Sequence, residues 1–461
     1  MKSLLRILPV LAVAAFLAGC EGPCTKIDTI SGPTLSSGTA DFAVVAALGT
    51  SISAGYQSSG LVNRHQLRAF PSLFAQHVGM TAIATGQTGF TFNGINNDGI
   101  PTLLEIKSLS PLVISNAGRV SGAPENNSQG TDYHNLAVPG MLAADLVDST
   151  LYTVDPNPVR GAGYNKTFFN LVLRSRGLAV QQVARRAPTF ITFELGANEV
   201  LGAATSGTSN VFPTASYVAA VRGALGTIHA ALPNTKVAVF NVPGVTSIPF
   251  CTTFSPVTIS TLTGTPVALI GPSGPLSPTD LVLLTAKDSL VTGRGFPVGA
   301  YNYLNPAAPG NGLPLLNSQV LEDSEQGTIN QAIFNMNAAL DSIVANRPWT
   351  TKVDFNTMLS GIAANGFTVG ATTYTTDFVT GGLFSLDGVH PNDLAHAIIA
   401  NTLIDAVNAQ WGATIPHLNV ANYATATSSR LRPATTGEGG AMPVQIDGLE
   451  ERLRMLYPAH F

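Results

Sequence analysis

Four short runs of apolar residues constrain the fold of this chain more than any other feature. The runs cover residues 42–48, 190–195, 237–242 and, in a shorter form, 352–355. Each has the length of a strand, and a continuous apolar run indicates a strand that is buried on both faces. We therefore predict a parallel β-sheet that is covered by helices on both sides.

Helical patterns lie between these runs. The clearest is in residues 217–232, whose apolar side chains recur at the spacing of one buried helical stripe: Val221, Leu225, Ile228 and Leu232. Similar patterns occupy residues 71–78, 178–186, 331–344 and 394–407. Strands that alternate with helices are typical of a single α/β domain with a mostly parallel sheet, which we place at residues 41–415.

Two long stretches interrupt this alternation. Residues 80–135 and 250–318 are rich in Gly, Pro, Thr, Ser and Asn and show weak periodicity. We predict that both are long loop insertions. Because ligand-binding residues are concentrated on loops, we expect these insertions to form walls of a substrate pocket. Residues 416–461 are predicted to be a C-terminal extension.

The N-terminus has the pattern of a secretory signal. Lys2 and Arg6 precede an apolar run over residues 7–17, which is too short to span a bilayer as a helix. The run ends in Leu17-Ala18-Gly19-Cys20, which resembles the lipobox of bacterial lipoproteins. The resemblance implies that residues 1–19 are removed and that Cys20 is acylated. The alternative is ordinary secretion without modification of Cys20.

Acylation of Cys20 implies that the protein is held at the bacterial cell envelope by a lipid anchor. Residues 20–40 are mostly Gly, Pro, Ser and Thr, a composition that is typical of a flexible tether. Glu21, rather than Asp, after the cysteine resembles outer-membrane sorting. The expected location is therefore the outer membrane, on its periplasmic or surface face.

Cys24 and Cys251 are the two other cysteines of the chain. In an oxidising compartment they form either a disulfide or two free thiols, and the sequence leaves both possibilities open. Two isolated cysteines lack the spacing of metal ligands, so no metal site is predicted.

The charge composition excludes one broad class of partner. Charged residues make up 11% of the chain, whereas an average soluble protein contains about a quarter. The 23 Lys and Arg residues are outnumbered by 27 Asp and Glu residues, which leaves no basic surplus to neutralise phosphates. Nucleic-acid binding is therefore not expected.

Ser51 follows the first apolar run, in a turn flanked by glycines. A serine just beyond the carboxyl end of a buried strand lies where open parallel sheets bind ligands. Its hydroxyl needs a general base to act as a nucleophile at neutral pH. His390 is the best candidate, because Asp387 precedes it by three residues and can orient its imidazole. Taken one at a time, these residues are also common in turns and on protein surfaces.

Two further segments offer hydrogen-bond donors for an oxyanion. Gly140 ends the segment at residues 135–140, where its backbone N–H can point into a cleft. Asn198 follows the second apolar run and is expected at the same sheet edge as Ser51. Backbone N–H groups and asparagine amides are the usual donors of an oxyanion hole, although both residues are also ordinary turn formers.

In chain order, these four segments resemble blocks I, II, III and V of the SGNH/GDSL hydrolases. That family comprises serine esterases and lipases with a flavodoxin-like three-layer α/β/α fold. The resemblance implies that Ser51 is the nucleophile and that Asp387 and His390 complete its catalytic triad. It also implies an oxyanion hole made by the Ser51 N–H, Gly140 and Asn198. No metal or organic cofactor is implied.

Two positions depart from the family pattern. Thr50 stands where the family has an aspartate before the serine, and Glu199 stands where the GxND segment has its aspartate. Neither position supplies the hydroxyl, the base or an oxyanion donor, so catalysis remains the expectation. The resemblance spans about residues 41–415.

The leading hypothesis is a lipid-anchored esterase or lipase that hydrolyses carboxylic esters through an acyl-enzyme on Ser51. Its expected partners are an ester substrate (a lipid, a short acyl ester or an acylated glycan) and the membrane that holds Cys20. The departures at Thr50 and Glu199 motivate an alternative, a catalytically silent surface lipoprotein that binds glycan or lipid. A third hypothesis is acyl transfer by the same triad, in which a sugar hydroxyl replaces water.

Overall fold

The computed structural model describes residues 36–79, 90–96, 98–109, 112–116, 120–428 and 444–446. The predicted leader, Cys20, Cys24 and most of the predicted tether lie outside the described residues, as does most of the chain beyond residue 428.

The strands form one central sheet and several small ones. In chain order they are β1 (Val45–Gly49), β2 (Glu105–Leu109), β3 (Leu112–Ser115), β4 (Phe190–Glu194), β5 (Lys236–Phe240), β6 (Val257–Ile259), β7 (Pro266–Ala268), β8 (Ile270–Gly271), β9 (Gly274–Pro275), β10 (Leu281–Val282), β11 (Val320–Leu321), β12 (Thr350–Val353), β13 (Phe367–Val369), β14 (Thr372–Tyr374) and β15 (Val444–Ile446).

The helices connect these strands. In chain order the α-helices are α1 (Ser51–Ala54), α2 (Asn63–Gln66), α3 (Phe70–His77), α4 (Thr150–Thr153), α5 (Thr167–Leu173), α6 (Ala179–Arg186), α7 (Asn198–Ser206), α8 (Thr214–Ala231), α9 (Pro249–Thr252), α10 (Lys287–Val291), α11 (Asp323–Ala345), α12 (Phe355–Asn365), α13 (Asp393–Trp411) and α14 (Ala421–Ser428). Short 3-10 helices cover Ala143–Leu146, Val245–Ser247, Leu284–Ala286 and Asn317–Gln319.

The central sheet has the strand order β1-β4-β5-β12, and each neighbouring pair is parallel. Residues 134–138 run parallel to the other edge of β1, where Leu136 N donates to Ala47 O over 2.9 Å and Val138 N donates to Gly49 O over 3.0 Å. The chain therefore winds in opposite directions from β1, and the reversal lies between β1 and β4. Open α/β sheets bind ligands at such a point.

Alternate residues of the sheet face two separate apolar cores. Ala46, Leu48 and Phe193 pack with α6, α8 and α11 on one side. Val45 and Phe190 pack with α3 and α13 on the other side. The structure thus confirms the predicted α/β fold, with a parallel sheet between two layers of helices.

The predicted strands and helices lie close to the observed ones. The largest difference is at α11, which begins at Asp323 rather than at residue 331. Its first turn is polar, and Glu325 caps it by accepting a hydrogen bond from Glu322 N over 2.9 Å. A polar first turn carries no apolar stripe, so a search for apolar periodicity does not detect it.

The predicted insertions contain short strands that the sequence did not indicate. In the first, β2 pairs antiparallel with β3, and β15 from the C-terminal extension pairs parallel with β3. In the second, β6 pairs with β7 and β8 with β9, both antiparallel. Strands this short do not show alternation in the sequence. Among the described residues, no helix is both long enough and apolar enough to cross a membrane.

Candidate active site

Ser51 is the first residue of α1 and lies directly beyond the end of β1. Thr50 caps this short helix, because its Oγ1 accepts a hydrogen bond from Ile52 N over 3.4 Å. Gly49 is required at the end of the strand, since a Cβ there would lie 2.3 Å from Ser53 Oγ. The strand thus delivers the Ser51 hydroxyl to the carboxyl edge of the sheet.

His390 and Asp387 meet Ser51 at this edge. His390 Nε2 lies 2.9 Å from Ser51 Oγ, and His390 Nδ1 lies 3.0 Å from Asp387 Oδ2. Each of the three residues is only 2% exposed. With its proton on Nδ1, the imidazole donates to the carboxylate, and its Nε2 accepts from the serine hydroxyl. This is the arrangement that activates a serine nucleophile.

The Asp387 carboxylate accepts several hydrogen bonds besides that of the imidazole. Val389 N and His390 N each donate to Oδ1 over 2.9 Å, and Ser385 Oγ donates to the same oxygen over 3.0 Å. Ser59 N donates to Oδ2 over 2.9 Å. Burial by itself raises the pKa of Asp387, but its interaction with His390 and these hydrogen bonds outweigh it and hold the pKa at about 2. The carboxylate is therefore ionised and fixed in direction.

The second predicted insertion braces the loop that carries His390. Phe250 N donates to Gly388 O over 2.9 Å. Gly388 has a φ of 71°, a conformation that favours glycine, and a Cβ there would make a tight contact of 3.2 Å with Phe250 N. On another side, the Tyr56 ring lies 4.8 Å from the imidazole, centroid to centroid. The ring of His390 is thus held by packing as well as by hydrogen bonds.

Asn198 lies beside Ser51 and His390 and contacts the segment that begins at Gly140. Asn198 is the first residue of α7, just past β4, and its Nδ2 donates to Met141 O over 2.8 Å. That bond uses one of two amide hydrogens and leaves the other for a ligand. Gly140 precedes Met141 and has a φ of 80°, a left-handed conformation that favours glycine. Within the described residues, neither Gly140 N nor Ser51 N donates to a protein acceptor.

A pocket opens beside Ser51, and Asn198 and His390 also line it. Its cavity volume is about 50 Å³, and its surface is almost entirely apolar. Side chains from the loop after β5, from α12 and from the His390 loop contribute to it, among them Val245, Ile248, Met358, Leu359, Ile362 and Val389. Such a pocket suits an apolar organic group.

The first insertion lines a second, more open pocket beside the His390 loop, through residues 103–106, but the described residues of the insertions do not line the pocket at Ser51. None of its lining residues lies in 80–135 or 250–318. The second insertion instead packs behind the His390 loop, through Phe250. The helix α12 forms part of the wall of the pocket at Ser51. It can do so because it follows β12 at the same carboxyl edge of the sheet as Ser51.

Sequence reasoning missed Glu194, the last residue of β4. Its carboxylate is buried and accepts hydrogen bonds from Thr50 and Ser53, on either side of Ser51. Burial raises the pKa of Glu194 to about 7, although these hydrogen bonds oppose the shift. An acidic residue at the end of an otherwise apolar strand was the signal that could have identified it.

Glu199 also has a definite place in the site. Its Oε1 accepts a hydrogen bond from Ala143 N over 2.7 Å, which ties the start of α7 to the segment after Gly140. Its Oε2 is buried without a hydrogen-bond partner. Burial raises the pKa of this carboxyl to about 8. Glu199 has a longer side chain than the family's aspartate, and this side chain reaches the segment after Gly140.

Cys251 is buried and carries a free thiol, whose Sγ lies 3.7 Å from Val245 O. Cys24, its candidate disulfide partner, lies outside the described residues. In the part of the chain that the structure describes, no cluster of three or more His, Cys, Asp or Glu side chains is arranged to hold a metal ion.

Comparison with known proteins places the chain in a family. A family model described as GDSL-like lipase/acylhydrolase matches residues 45–403. The chain is similar to a solved structure from Parabacteroides merdae described as a GDSL-like lipase, with 11% identity, a TM-score of 0.34 and coverage of 80% of this chain and 97% of that chain. It is also similar to phospholipase A1 from Streptomyces albidoflavus, with 12% identity, a TM-score of 0.29 and coverage of 78% and 97%.

An extracellular lipase from Streptomyces rimosus shows 12% identity and a TM-score of 0.27, with 82% of this chain and 98% of that chain covered. No curated protein matches the chain. The family match runs from the strand before Ser51 to the helix after His390, which is most of the chain. The chain therefore belongs to the GDSL-like lipases and acylhydrolases.

Proposed function

We propose that the protein hydrolyses carboxylic esters through an acyl-enzyme on Ser51. The observation that carries the proposal is the 2.9 Å separation between Ser51 Oγ and His390 Nε2, with Asp387 Oδ2 behind the imidazole at 3.0 Å. A buried serine, an imidazole and an ionised carboxylate in this order form a nucleophile, its general base and the group that orients the base.

The proposed reaction has two stages, acylation of Ser51 and hydrolysis of the acyl-enzyme. His390 Nε2 takes the Ser51 proton as Oγ attacks the ester carbonyl carbon, and the carbonyl oxygen becomes an oxyanion. Ser51 N, Gly140 N and Asn198 Nδ2 are the donors for that oxyanion. The imidazolium then gives its proton to the leaving alcohol as the C–O bond breaks. Water, deprotonated by His390, then attacks the acyl carbon. The bond from that carbon to Ser51 Oγ breaks, the imidazolium returns its proton to Oγ, and the carboxylic acid leaves.

The apolar pocket indicates which part of the ester lies next to Ser51. Its lining offers almost no polar surface, so burying an alkyl group there is favourable and burying a sugar hydroxyl is not. The proposed substrates are therefore esters whose acyl group is an alkyl chain.

The test uses the full chain, p-nitrophenyl butyrate and an alkyl fluorophosphonate. The parent should hydrolyse the ester and acquire one phosphonyl group, located on Ser51 by peptide mass spectrometry. Ser51→Ala should lose the label and at least about 10³-fold in kcat. Ser209→Ala, at an exposed serine outside the pocket, is the control and should behave as the parent. A parent that neither reacts nor hydrolyses would favour the silent binding protein, and equal rates for Ser51→Ala and the parent would reject the triad.

We further propose that Cys20 anchors the protein to the bacterial cell envelope. The support is the sequence Leu17-Ala18-Gly19-Cys20 after a short apolar run. Cells that express the full chain and are fed an alkyne-labelled fatty acid should incorporate the label into the parent and into Cys24→Ser, but not into Cys20→Ser. Equal labelling of the parent and Cys20→Ser would reject the anchor.

A further inference from the structure

We propose that Glu194 is a positioning residue for the nucleophile: its carboxylate, carried by β4, holds the turn around Ser51. The proposal rests on the ester hydrolysis by Ser51 proposed above. Thr50 stands where the family has an aspartate, just before its serine. In this chain Glu194, at the end of β4, supplies a carboxylate to the same turn.

The geometry of the contact is specific. Thr50 Oγ1 donates to the carboxylate, with distances of 3.0 Å to Oε1 and 2.9 Å to Oε2, and Thr50 N donates to Oε2 over 3.1 Å. Ser53 Oγ and Ser53 N donate to Oε2 over 2.9 and 3.3 Å. The contact follows from the sheet register, in which Glu194 lies opposite Gly49, the residue before Thr50.

The Glu194 carboxylate accepts hydrogen bonds from residues of this turn alone, among the described residues. Every hydrogen bond that the structure gives to the Glu194 side chain comes from Thr50 or Ser53. Among the described residues, Glu194 forms no salt bridge with a Lys, Arg or His, and it is only 2% exposed. A buried carboxylate without a cation is unfavourable unless hydrogen bonds compensate it. Its presence is therefore explained by what it does for the turn.

The contact also determines which backbone N–H groups of the turn remain available. Thr50 N and Ser53 N donate to Glu194, and Ile52 N donates to Thr50 Oγ1. Ser51 N is the one N–H of residues 50–53 without a protein acceptor among the described residues. The carboxylate thus fixes both sides of the serine and leaves its N–H for the oxyanion.

The test is a pair of substitutions that moves the carboxylate from β4 to the turn itself. Glu194→Gln keeps the size of the side chain and removes its charge. Thr50→Asp places a carboxylate next to Ser51, and the double variant Thr50→Asp/Glu194→Gln lets the glutamine amide donate to it. Thr50→Asp alone puts two carboxylates into one buried site, where their repulsion raises the pKa of one of them and distorts the turn. Glu125→Gln, at an exposed glutamate, is the control.

We expect Glu194→Gln to lower kcat for p-nitrophenyl butyrate by about 10²-fold, with KM changed by less than about twofold, because a small displacement of a reacting group has this effect. Thr50→Asp alone should also lower kcat. The double variant should be at least about tenfold faster than Glu194→Gln, so that one substitution harms the parent and rescues the variant. All assays run at mildly alkaline pH, where Glu194 is ionised, and circular dichroism confirms the folding of each variant.

The outcomes separate the two proposals. If the parent does not hydrolyse the ester, or if Ser51→Ala equals the parent, the ester-hydrolase proposal fails. If the parent is active and depends on Ser51 while Glu194→Gln retains its kcat, only the role of Glu194 is overturned. A folded double variant that is no faster than Glu194→Gln overturns it as well. Should Glu194→Gln fail to fold, Ser53→Ala decides: it removes one of the bonds to the carboxylate, and an unchanged kcat would reject the proposal.

Discussion

Ser59 N donates to Asp387 Oδ2 over 2.9 Å, so the chain just after α1 directly holds the carboxylate that contacts His390. The preceding residue is involved too, since Ser58 N donates to Ser385 Oγ over 2.8 Å. Both serines have a positive φ, of 50° for Ser58 and 61° for Ser59, which is uncommon for residues other than glycine. The orientation of His390 therefore depends on a strained segment that is far from it in sequence.

Asp387→Asn should retain the fold and lose catalysis. An asparagine amide that faces Nδ1 of His390 favours the wrong tautomer, and such a change lowers kcat by roughly 10³- to 10⁴-fold in serine hydrolases. The measurement is kcat and KM for p-nitrophenyl butyrate, with KM expected to change little. Asp377→Asn, an exposed residue of a nearby loop, is the control. A kcat for Asp387→Asn within tenfold of the parent would contradict the assignment.

Ser59→Gly and Ser59→Val should have different effects. Glycine keeps the N–H that donates to Asp387 and adopts a positive φ without strain, so kcat should stay close to that of the parent. Valine keeps the N–H but disfavours this conformation by roughly 1–2 kcal/mol, so the segment should shift and kcat should fall. Steady-state kinetics and urea denaturation of both variants check this. Equal kinetics for the two variants would show that the backbone conformation at this position does not matter.

Met358→Trp should change the preference for acyl chain length. Met358 lies on α12 and lines the pocket beside Ser51, so a larger side chain there removes space for the distal carbons of the acyl group. We expect kcat/KM to fall by about tenfold or more for p-nitrophenyl octanoate and to change little for the acetate. Thr357→Trp adds the same side chain at an exposed position of the same helix and should leave both rates unchanged. A parallel loss on both esters would mean that the acyl chain lies elsewhere.

Glu199→Gln should change the pH dependence of stability. The pKa of Glu199 is about 8 in the folded protein, against 4.5 for a free carboxyl. Between these values the folded state holds a proton that the unfolded state releases, so the parent loses stability as the pH rises through that range. The glutamine variant has no such loss. Relative to the parent, its Tm should be higher by about 5 °C at about pH 9 than at about pH 5.

The control for this measurement is Glu125→Gln, because Glu125 is exposed. Its Tm relative to the parent should be the same at both pH values. If the Tm difference between Glu199→Gln and the parent is also independent of pH, the carboxyl of Glu199 is not protonated in the folded state at neutral pH.

Arg160→Met should destabilise the protein strongly. Arg160 donates to both oxygens of Asp145, over 3.0 and 2.7 Å, and its Nη2 also lies 3.2 Å from Gly140 O. The side chains are 4% and 0% exposed, so removal of the cation leaves a buried, unpaired carboxylate, which costs about 3–5 kcal/mol. Urea denaturation should show this loss in the free energy of unfolding. The double variant Arg160→Met/Asp145→Asn should recover part of it, and no recovery would contradict the explanation.

The strands and the triad motifs could be predicted because their signals are local. A strand buried on both faces is a continuous apolar run, as in residues 190–195, and the run alone identifies it. Asp387 and His390 stand three residues apart, so their pairing depends on one turn. The order of the family motifs then indicated that Ser51 lies near them.

The contacts of Glu194 could not be predicted in this way. Thr50 and Glu194 are 144 residues apart, and they meet only because β1 and β4 pair in a register that sets Gly49 opposite Glu194. The pocket is a similar case. Met358 and Val245 line it together, although nothing in either local sequence indicates a common cavity. Side chains from separate segments become neighbours through strand order and packing, which local periodicity does not encode.

The amino-acid sequence alone determined the fold class, because apolar runs of strand length and helical periodicity are local patterns. The order of its motifs, by resemblance, indicated the family and the chemical groups at the carboxyl edge of the sheet. The tertiary structure decided which groups support Ser51, how Asp387 is held and that the adjoining pocket is apolar. Those properties depend on distances between residues that are more than a hundred positions apart, and only the packed sheet and its helices set such distances.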